Sequence, residues 1–323
     1  EQSLTQVKKW RIFGARRFIG SKVQGFKGSK GQGFRVEKWG DKDMIKRCLP
    51  CTGWRVMVIL SLILYAEMAW AGVRLTSVFN NTPSRKGLKT GWGYACLIQG
   101  LKREILFDTG ADGERLLENM QKLHKDPRQV DMVVLSHIHH DHVGGLKAFL
   151  AVNPNITVYV PASFPSSIKE MIRAHGARVM AVKGPMQIAP AVFTTGQMGH
   201  AVKEQALVVK TGEGLVVITG CAHPGIAHMV RRAKTLYKAP VYGAVGGFHL
   251  SGRSDAVIDQ IIEEMKALGV KTVAPSHCTG PRARQRFKAA WGNEFLDGGL
   301  GAVVEIPRRK HGGSRDGPSK GRR

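Results

Sequence analysis

Residues 135–146 read LSHIHHDHVGGL and place His137, His139, His140, Asp141 and His142 in six consecutive positions with one gap. Imidazole and carboxylate crowded together at neutral pH are metal donors. On an extended segment His137 and His139 are two apart and project to the same side, so both can reach one cation. Gly144-Gly145 then opens a helix. Asp141 and His142 sit at the turn before it and can face a second cation. His140 has the opposite parity and is expected in solvent or behind the ligands.

Ligands so close in sequence need partners from elsewhere, and the chain offers them at the ends of apolar runs. Asp108 follows Phe107 in LFDTG, and the histidine loop follows MVVL. Cys221 and His223 follow GLVVITG, His249 follows VYGAVGGF, and His277 and Cys278 follow TVAPS. One such histidine is most often a satisfied structural residue. Five strand ends together are hard to explain as packing. In layered α/β folds the strand ends converge on one rim, where sites form.

The patterning predicts strands over 74–79, 94–99, 104–107, 132–135, 157–160, 206–210, 215–219, 241–245, 272–274 and 302–306. It predicts helices over 113–123, 144–152, 166–174, 225–237, 254–268 and 281–291. Gly212 and Gly214 mark a hairpin turn between two of the strands. Early strand pairs followed by alternating strand and helix imply two sheets packed face to face, with helices outside.

The chain has 323 residues and a net charge of +25. Residues 1–55 hold 14 Lys/Arg against 4 Asp/Glu, and residues 307–323 hold 7 against 1. The basicity sits mostly at the two ends, so it says little about what the body binds. Within 18–38, Phe18, Phe26 and Phe34 recur every eight residues in a glycine-rich, basic stretch that cannot bury a core. It reads as sequence upstream of the native start (1–43) rather than a nucleic-acid-binding arm. Met44 opens a signal-like segment: Lys46, Arg47 and Arg55 precede the apolar run 56–65, and Ala69-Trp70-Ala71 is a small-x-small cleavage site. The expectation is an exported, periplasmic or secreted protein beginning at Gly72. The alternative is an anchor at 56–71, interrupted by Glu67 and shorter than the roughly 20 apolar residues a spanning helix needs. Cys48 and Cys51 fall inside this segment without a second half for a zinc site. Cys96, Cys221 and Cys278 remain downstream, an odd count that argues against a disulfide framework.

Taken together, LFDTG, LSHIHHDHVGGL, EQALVV, GLVVITGCAHPGI, GGFHL and PSHCTG resemble the metallo-β-lactamase superfamily over about 72–306. Within it they look like the subfamily named for 7,8-dihydropterin-6-methyl-4-(β-D-ribofuranosyl)aminobenzene-5′-phosphate synthase. The resemblance implies an α/β, four-layer αββα sandwich with a metal site on one rim. It implies His137 and His139 on a first metal, and Asp141, His142 and His277 on a second. Asp108 would orient the ligand loop from behind. Two places depart from the superfamily pattern. Gly220-Cys221 stands where a Gly-Asp usually supplies a bridging carboxylate, and Thr195-Gly196-Gln197 stands where a Pro-Gly-His usually supplies a histidine. His223 is the candidate for the missing ligand, with His200 as its rival. Cys221 either bridges as a thiolate or packs. His249 either reaches a metal or substrate phosphate, or donates a hydrogen bond behind the ligands.

The implied cofactor is two divalent metal ions; zinc suits the nitrogen-rich set, and iron or manganese is compatible. Two such ions activate water and polarise a substrate oxygen. Asp141 is the protein group expected to handle the proton. That chemistry hydrolyses an ester, lactone, amide or phosphoester of a small molecule, phosphorylated or not. It also suits a synthase-like displacement at a phosphorylated carbon. A single Asp-Thr-Gly excludes an aspartic protease, which needs two such carboxylates. The body shows no basic–aromatic stripe for specific nucleic-acid binding. A non-enzymatic binding protein would not need so many ligand-type residues. Export past the 44–71 segment makes a direct prediction: N-terminal sequencing of the protein from its host should start at Gly72, and recovery of intact 1–43 would refute it.

Overall fold

The computed structural model describes residues 72–307. The upstream segment 1–43, the expected signal segment 44–71 with its anchor alternative, and the basic tail past 307 lie outside the described residues. Among the described residues, no helix is long and apolar enough to cross a membrane.

The first sheet grows from apolar segments in chain order. β1 (Val73–Asn80), β2 (Tyr94–Gln99) and β3 (Ile105–Phe107) are joined antiparallel. From β3 the pairing turns parallel through β4 (Met132–Val134), β5 (Thr157–Pro161) and β6 (Arg178–Val182). The crossovers are α1 (Gly113–Lys122), then α2 (His140–Val143) with α3 (Leu146–Val152), then α4 (Ser166–Ala174). The second sheet begins with β7 (Met186–Ala189), β8 (Val192–Thr194) and β9 (Leu207–Lys210). It continues with β10 (Leu215–Thr219), β11 (Val241–Gly247) and β12 (Thr272–Ser276), which run parallel. Here α5 (Ile226–Tyr237) and α6 (Asp255–Ala267) make the crossovers. α7 (Pro281–Trp291) follows β12, and β13 (Val303–Ile306) returns to pair with β1. The strand orders are β13-β1-β2-β3-β4-β5-β6 and β12-β11-β10-β9-β8-β7.

Alternation along each strand sorts its side chains into layers. Ile105 and Phe107 point between the sheets, where they meet Val216, Ile218 and Val209. Leu106 points outward to Leu116, Met120, Phe149 and Ile172 on the helices. On the second sheet Val217 and Ala244 face Met229, Val230, Met265 and Phe287. Strands covered on both faces explain runs such as LVVIT, apolar without a break. The result is the expected four-layer αββα sandwich. Asp112 caps α1 by accepting from Arg115 N at 3.1 Å, and Ser254 caps α6.

The expected strands and helices are present with ends shifted by a residue or two, apart from three strands and one helix start. β6, β7 and β8 have no counterpart in the sequence reading. β6 and β7 are sheet edges whose side chains are mostly exposed or half-buried, so they lack the apolar alternation that identifies a strand. The helix expected at Gly144 begins earlier: His140–Val143 already form a turn, and Leu146–Val152 continue after it. Gly144 and Gly145 serve close approach instead. A Cβ on either would lie 2.4 Å from Ala111 O or 2.2 Å from Thr109 O.

Phe107 is fully buried between the sheets, whereas Val303 on the edge strand is 48% exposed. Phe107→Ala should cost about 3–5 kcal/mol in denaturant unfolding, and Val303→Ala should stay within about 0.5 kcal/mol.

Candidate metal centre

β3 and β4 of the first sheet and β10, β11 and β12 of the second all end at one rim, and each ends in a ligand-type residue. The turns there are tight. Asp108, Ala222, His249 and His277 all hold left-handed backbone, with φ of 59°, 59°, 52° and 51°. Non-glycine residues enter this region at a cost and keep it where surrounding contacts enforce it.

Asp108 is fully buried and organises the first sheet's contribution. Its Oδ1 accepts from Ser136 N at 2.7 Å, and its Oδ2 accepts from Ser136 Oγ at 2.7 Å. The same Oδ2 lies 2.7 Å from His142 Nδ1. Ser136 Oγ, its one proton committed to the carboxylate, accepts from His137 Nδ1 at 2.9 Å. Both histidines therefore carry their proton on Nδ1 and turn Nε2 toward the centre. From the second sheet, His277 Nδ1 donates to Asn81 Oδ1 at 2.7 Å, which turns its Nε2 inward as well.

Glu204 does for the second sheet what Asp108 does for the first. Fully buried, it accepts from Cys221 N at 3.0 Å and Ala222 N at 2.8 Å through Oε1, and from His223 N at 2.8 Å through Oε2. Three successive N–H groups on one carboxylate fix the turn that presents Cys221 and His223. Gly220 leaves room where the two halves meet: a Cβ there would lie 2.1 Å from Ser136 Oγ and 2.8 Å from Asp108 Oδ2.

The donors converge. His142 Nε2 is 3.2 Å from Cys221 Sγ and 3.5 Å from Asp141 Oδ2, and His277 Nε2 is 3.2 Å from the same oxygen. His137 Nε2 is 3.1 Å from His139 Nδ1. The His223 ring packs against those of His137 and His139, with centroids 4.8 Å away in each case. Three groups have all their ligand atoms within 4.8 Å of one another: Asp141, His142, Cys221 and His277; His137, Cys221 and His223; and Cys221, His249 and Cys278.

The electrostatics favour positive charge at the centre. Burial opposes charge on His142, but the Asp108 carboxylate and then Asp141 outweigh it and raise the imidazole to about 10. A proton or a metal ion can supply that charge at Nε2. Burial would raise the Asp141 carboxyl, but hydrogen bonds and charge from His142 and His277 hold it well below the usual carboxylate range. Burial and then neighbouring imidazoles push His137 well down, and bring His223 to about 4. These two therefore stay neutral, the form that ligates. His223 Nε2 and His277 Nε2 are buried without a well-aligned hydrogen-bond partner. Inward lone pairs, one ionised carboxylate and a thiol are a donor set that fits divalent metal ions.

The structure places His137, Asp141, His142, Cys221, His223, His249, His277 and Cys278 in these groups, with His139 beside His137 and Asp108 behind His142. His139 and His249 lie at the exposed mouth, Asp141 and His223 are partly buried, and the others are buried. Asp141 and His142 lie in a helical turn rather than a loop. His140 and His200 are exposed and belong to none of the three groups. Cys96, Cys221 and Cys278 are all free and buried. The sequence reading missed Ser136, Asn81, Glu204 and Trp92. Trp92 is 59% exposed with its ring 5.1 Å from that of His277, giving the mouth an aromatic wall. The signal for Glu204 was a pair of polar residues, Glu204-Gln205, running straight into the apolar strand that follows.

The sequence pattern of the metallo-beta-lactamase superfamily matches residues 93–277. The chain is 31% identical over 252 residues to 7,8-dihydropterin-6-methyl-4-(beta-D-ribofuranosyl)-aminobenzene-5'-phosphate synthase of Methanocaldococcus jannaschii, covering 64% of this chain and 86% of that protein. The fold is similar to a crystal structure described as a metal-dependent hydrolase of the beta-lactamase superfamily, with TM-score 0.62 and 27% identity over 73% of this chain and 99% of that one. It is also similar to a metallo-beta-lactamase fold protein from Bacillus subtilis, with TM-score 0.54 and 16% identity over 73% of this chain and 100% of that one.

Removing Glu204 would leave three backbone N–H groups without their acceptor. Orphaned buried donors cost about 1–3 kcal/mol each. Glu204→Ala should therefore lower unfolding stability by about 3 kcal/mol or more. Glu204→Gln, which keeps an acceptor oxygen, should lose less in the same denaturant titration.

Proposed function

From a chain that belongs to the metallo-beta-lactamase superfamily and gathers these donors on one rim, we propose a metal-dependent hydrolase of small-molecule esters, lactones, amides or phosphoesters. The observation that carries the reading is the set of Nε2 lone pairs turned inward by Asp108, Ser136 and Asn81 onto a partly open Asp141 and a buried Cys221. His137, His139 and His223 would hold one divalent ion, and Asp141, His142 and His277 a second, with Cys221 between them. Zinc suits nitrogen and sulfur donors; iron and manganese are compatible. Divalent ions bound there supply Lewis acidity, polarising a substrate oxygen and lowering the pKa of water toward about 7.

The protein's own residues supply position and proton handling. Asp108 has its oxygens engaged by Ser136 and His142, so it positions ligands and is not free to take a proton. Asp141 Oδ2 is the carboxylate oxygen facing the cluster with solvent access, its side chain being 19% exposed. Its position, facing both the ligand cluster and solvent, is what suits it to relay a proton from the attacking water to the leaving group. Trp92 offers an apolar surface at the mouth against which a flat substrate group can lie.

A second reading rests on the relative from Methanocaldococcus jannaschii, whose name is that of a synthase. The same centre would then direct displacement at a phosphorylated carbon rather than attack by water. Both readings take a small-molecule substrate rather than nucleic acid. The 44–71 segment supports an extracytoplasmic setting, which favours the hydrolase.

His137→Ala should remove about one equivalent of metal, measured by elemental analysis, while His140→Ala keeps the full content. His223→Ala should also lose about one equivalent and most turnover on a panel of phosphoesters and lactones. Losing a ligand should weaken affinity by more than the roughly 10–100-fold seen when only a supporting residue is lost. Equal metal loss from His137→Ala and His140→Ala would reject the ligand assignment. Condensation of a dihydropterin carrying a phosphorylated methylene with a ribofuranosylaminobenzene phosphate, releasing the phosphoryl leaving group and with no hydrolysis of the panel, would favour the synthase reading.

A further inference from the structure

The third donor group, Cys221, His249 and Cys278, lies on the second sheet's side of the rim and is not used by the reading above except through Cys221. Its parts come from the ends of β10, β11 and β12, three adjacent parallel strands. Cys221 and Cys278 come from the two outer strands, so they meet only across the end of the middle one. That end is Gly247. A Cβ there would lie 2.8 Å from Cys278 Sγ and 3.2 Å from Cys221 Cα. With the gap open, Cys278 Sγ lies 3.7 Å from Cys221 O, and both thiols are at most 5% exposed.

His249 is brought to the pair by the same framework. The backbone on either side of it is tied to the turn that carries Cys278: Phe248 N donates to Thr279 Oγ1 at 3.1 Å, and Ser251 N donates to Cys278 O at 3.2 Å. Its left-handed backbone, φ 52°, sits between these two ties. Its ring packs on that of His223 with centroids 4.3 Å apart and keeps one side open to solvent.

Both cysteines are free thiols, not joined in a disulfide. A cation with sulfur bonds of about 2.3 Å joins thiols that are only close neighbours. Two thiolates and an imidazole select soft or borderline d10 ions over magnesium, calcium or manganese. The exposed edge of His249 gives such an ion a way in.

We infer that Cys221, Cys278 and His249 form a further cation site for a thiophilic d10 ion such as zinc, cadmium or cuprous copper, adjoining the two positions above through the Cys221 sulfur. Both sulfurs ligate as thiolates, so any proton the pair carries is released to solvent on binding. The inference shares Cys221 with the proposed function but needs no hydrolytic step.

The test uses the full chain, reduced and stripped with a chelator, then titrated with cadmium alone. Bound cadmium per chain is measured after dialysis, and thiolate-to-cadmium charge transfer is followed in the ultraviolet. Wild type should saturate at three equivalents. Cys278→Ser should lose one equivalent and about half of the charge-transfer absorption. His249→Ala, at an exposed position that does not threaten folding, should weaken the third equivalent by at least about 10-fold. His137→Ala should keep the full absorption while losing a different equivalent. Saturation of wild type at two equivalents, or unchanged cadmium binding in both Cys278→Ser and His249→Ala, overturns the inference. If Cys278→Ser does not fold, His249→Ala decides. Failure of the proposed function would appear instead as unchanged metal content in His137→Ala and His223→Ala.

Discussion

One buried carboxylate sets the geometry on which the centre depends. Asp108 stands at the end of β3 with no solvent access and engages Ser136 through both backbone and hydroxyl, and His142 through Nδ1. Ser136 passes the constraint on to His137. A single anion thereby fixes two imidazoles that belong to different ligand groups. A buried charge is costly unless it is fully hydrogen-bonded. Asp108 is therefore tolerated only while these donors stay in place, so its stability and their orientation are one requirement.

The second sheet meets the first sheet's demand by a parallel device. Glu204 gathers three consecutive N–H groups and so holds Ala222 in left-handed backbone between the two donors, Cys221 and His223. The halves touch where a side chain is missing: Gly220 faces Ser136 and Asp108 of the first sheet. Within the second sheet Gly247 leaves room for Cys278 Sγ and the Cys221 backbone. Close approach at this rim explains why glycine interrupts otherwise apolar strands there.

Charge follows from the same packing. Burial drives His137 and His223 toward the neutral form, while Asp108 and Asp141 draw positive charge onto His142. Neutral imidazoles and ionised carboxylate around a shared point are what a cation requires of its ligands. Cys221, within reach of all three groups, stands where the usual superfamily pattern has a carboxylate, and it makes the centre softer than oxygen donors would. Trp92 stands in the open beside His277, so the mouth combines an apolar wall with a polar floor.

The layered α/β class, the rim and its principal donors were legible in the sequence because they depend on local order. Unbroken apolar runs mark strands buried on both faces, and a polar residue at the end of each run marks the rim. Short-range spacing likewise separated His137 and His139 from His140. The edge strands β6 and β7 were not legible, since half-exposed segments carry no alternation and form only because a neighbour offers hydrogen bonds, and the inner strand β8 is three residues long, too short to show a period. The helical turn at His140–Val143 was also missed, because Gly144 and Gly145 signalled the helix start while serving contacts with Ala111 and Thr109. Sequence named Cys221, His223, His249 and Cys278 as separate strand ends, but only the tertiary structure decided that they share one place. Distance along the chain carries no information about which side chains meet across a glycine on an intervening strand, or which buried carboxylate, Asp108 or Glu204, orients them. Those contacts exist only once strands distant in the chain have assembled into sheets and the sheets have packed.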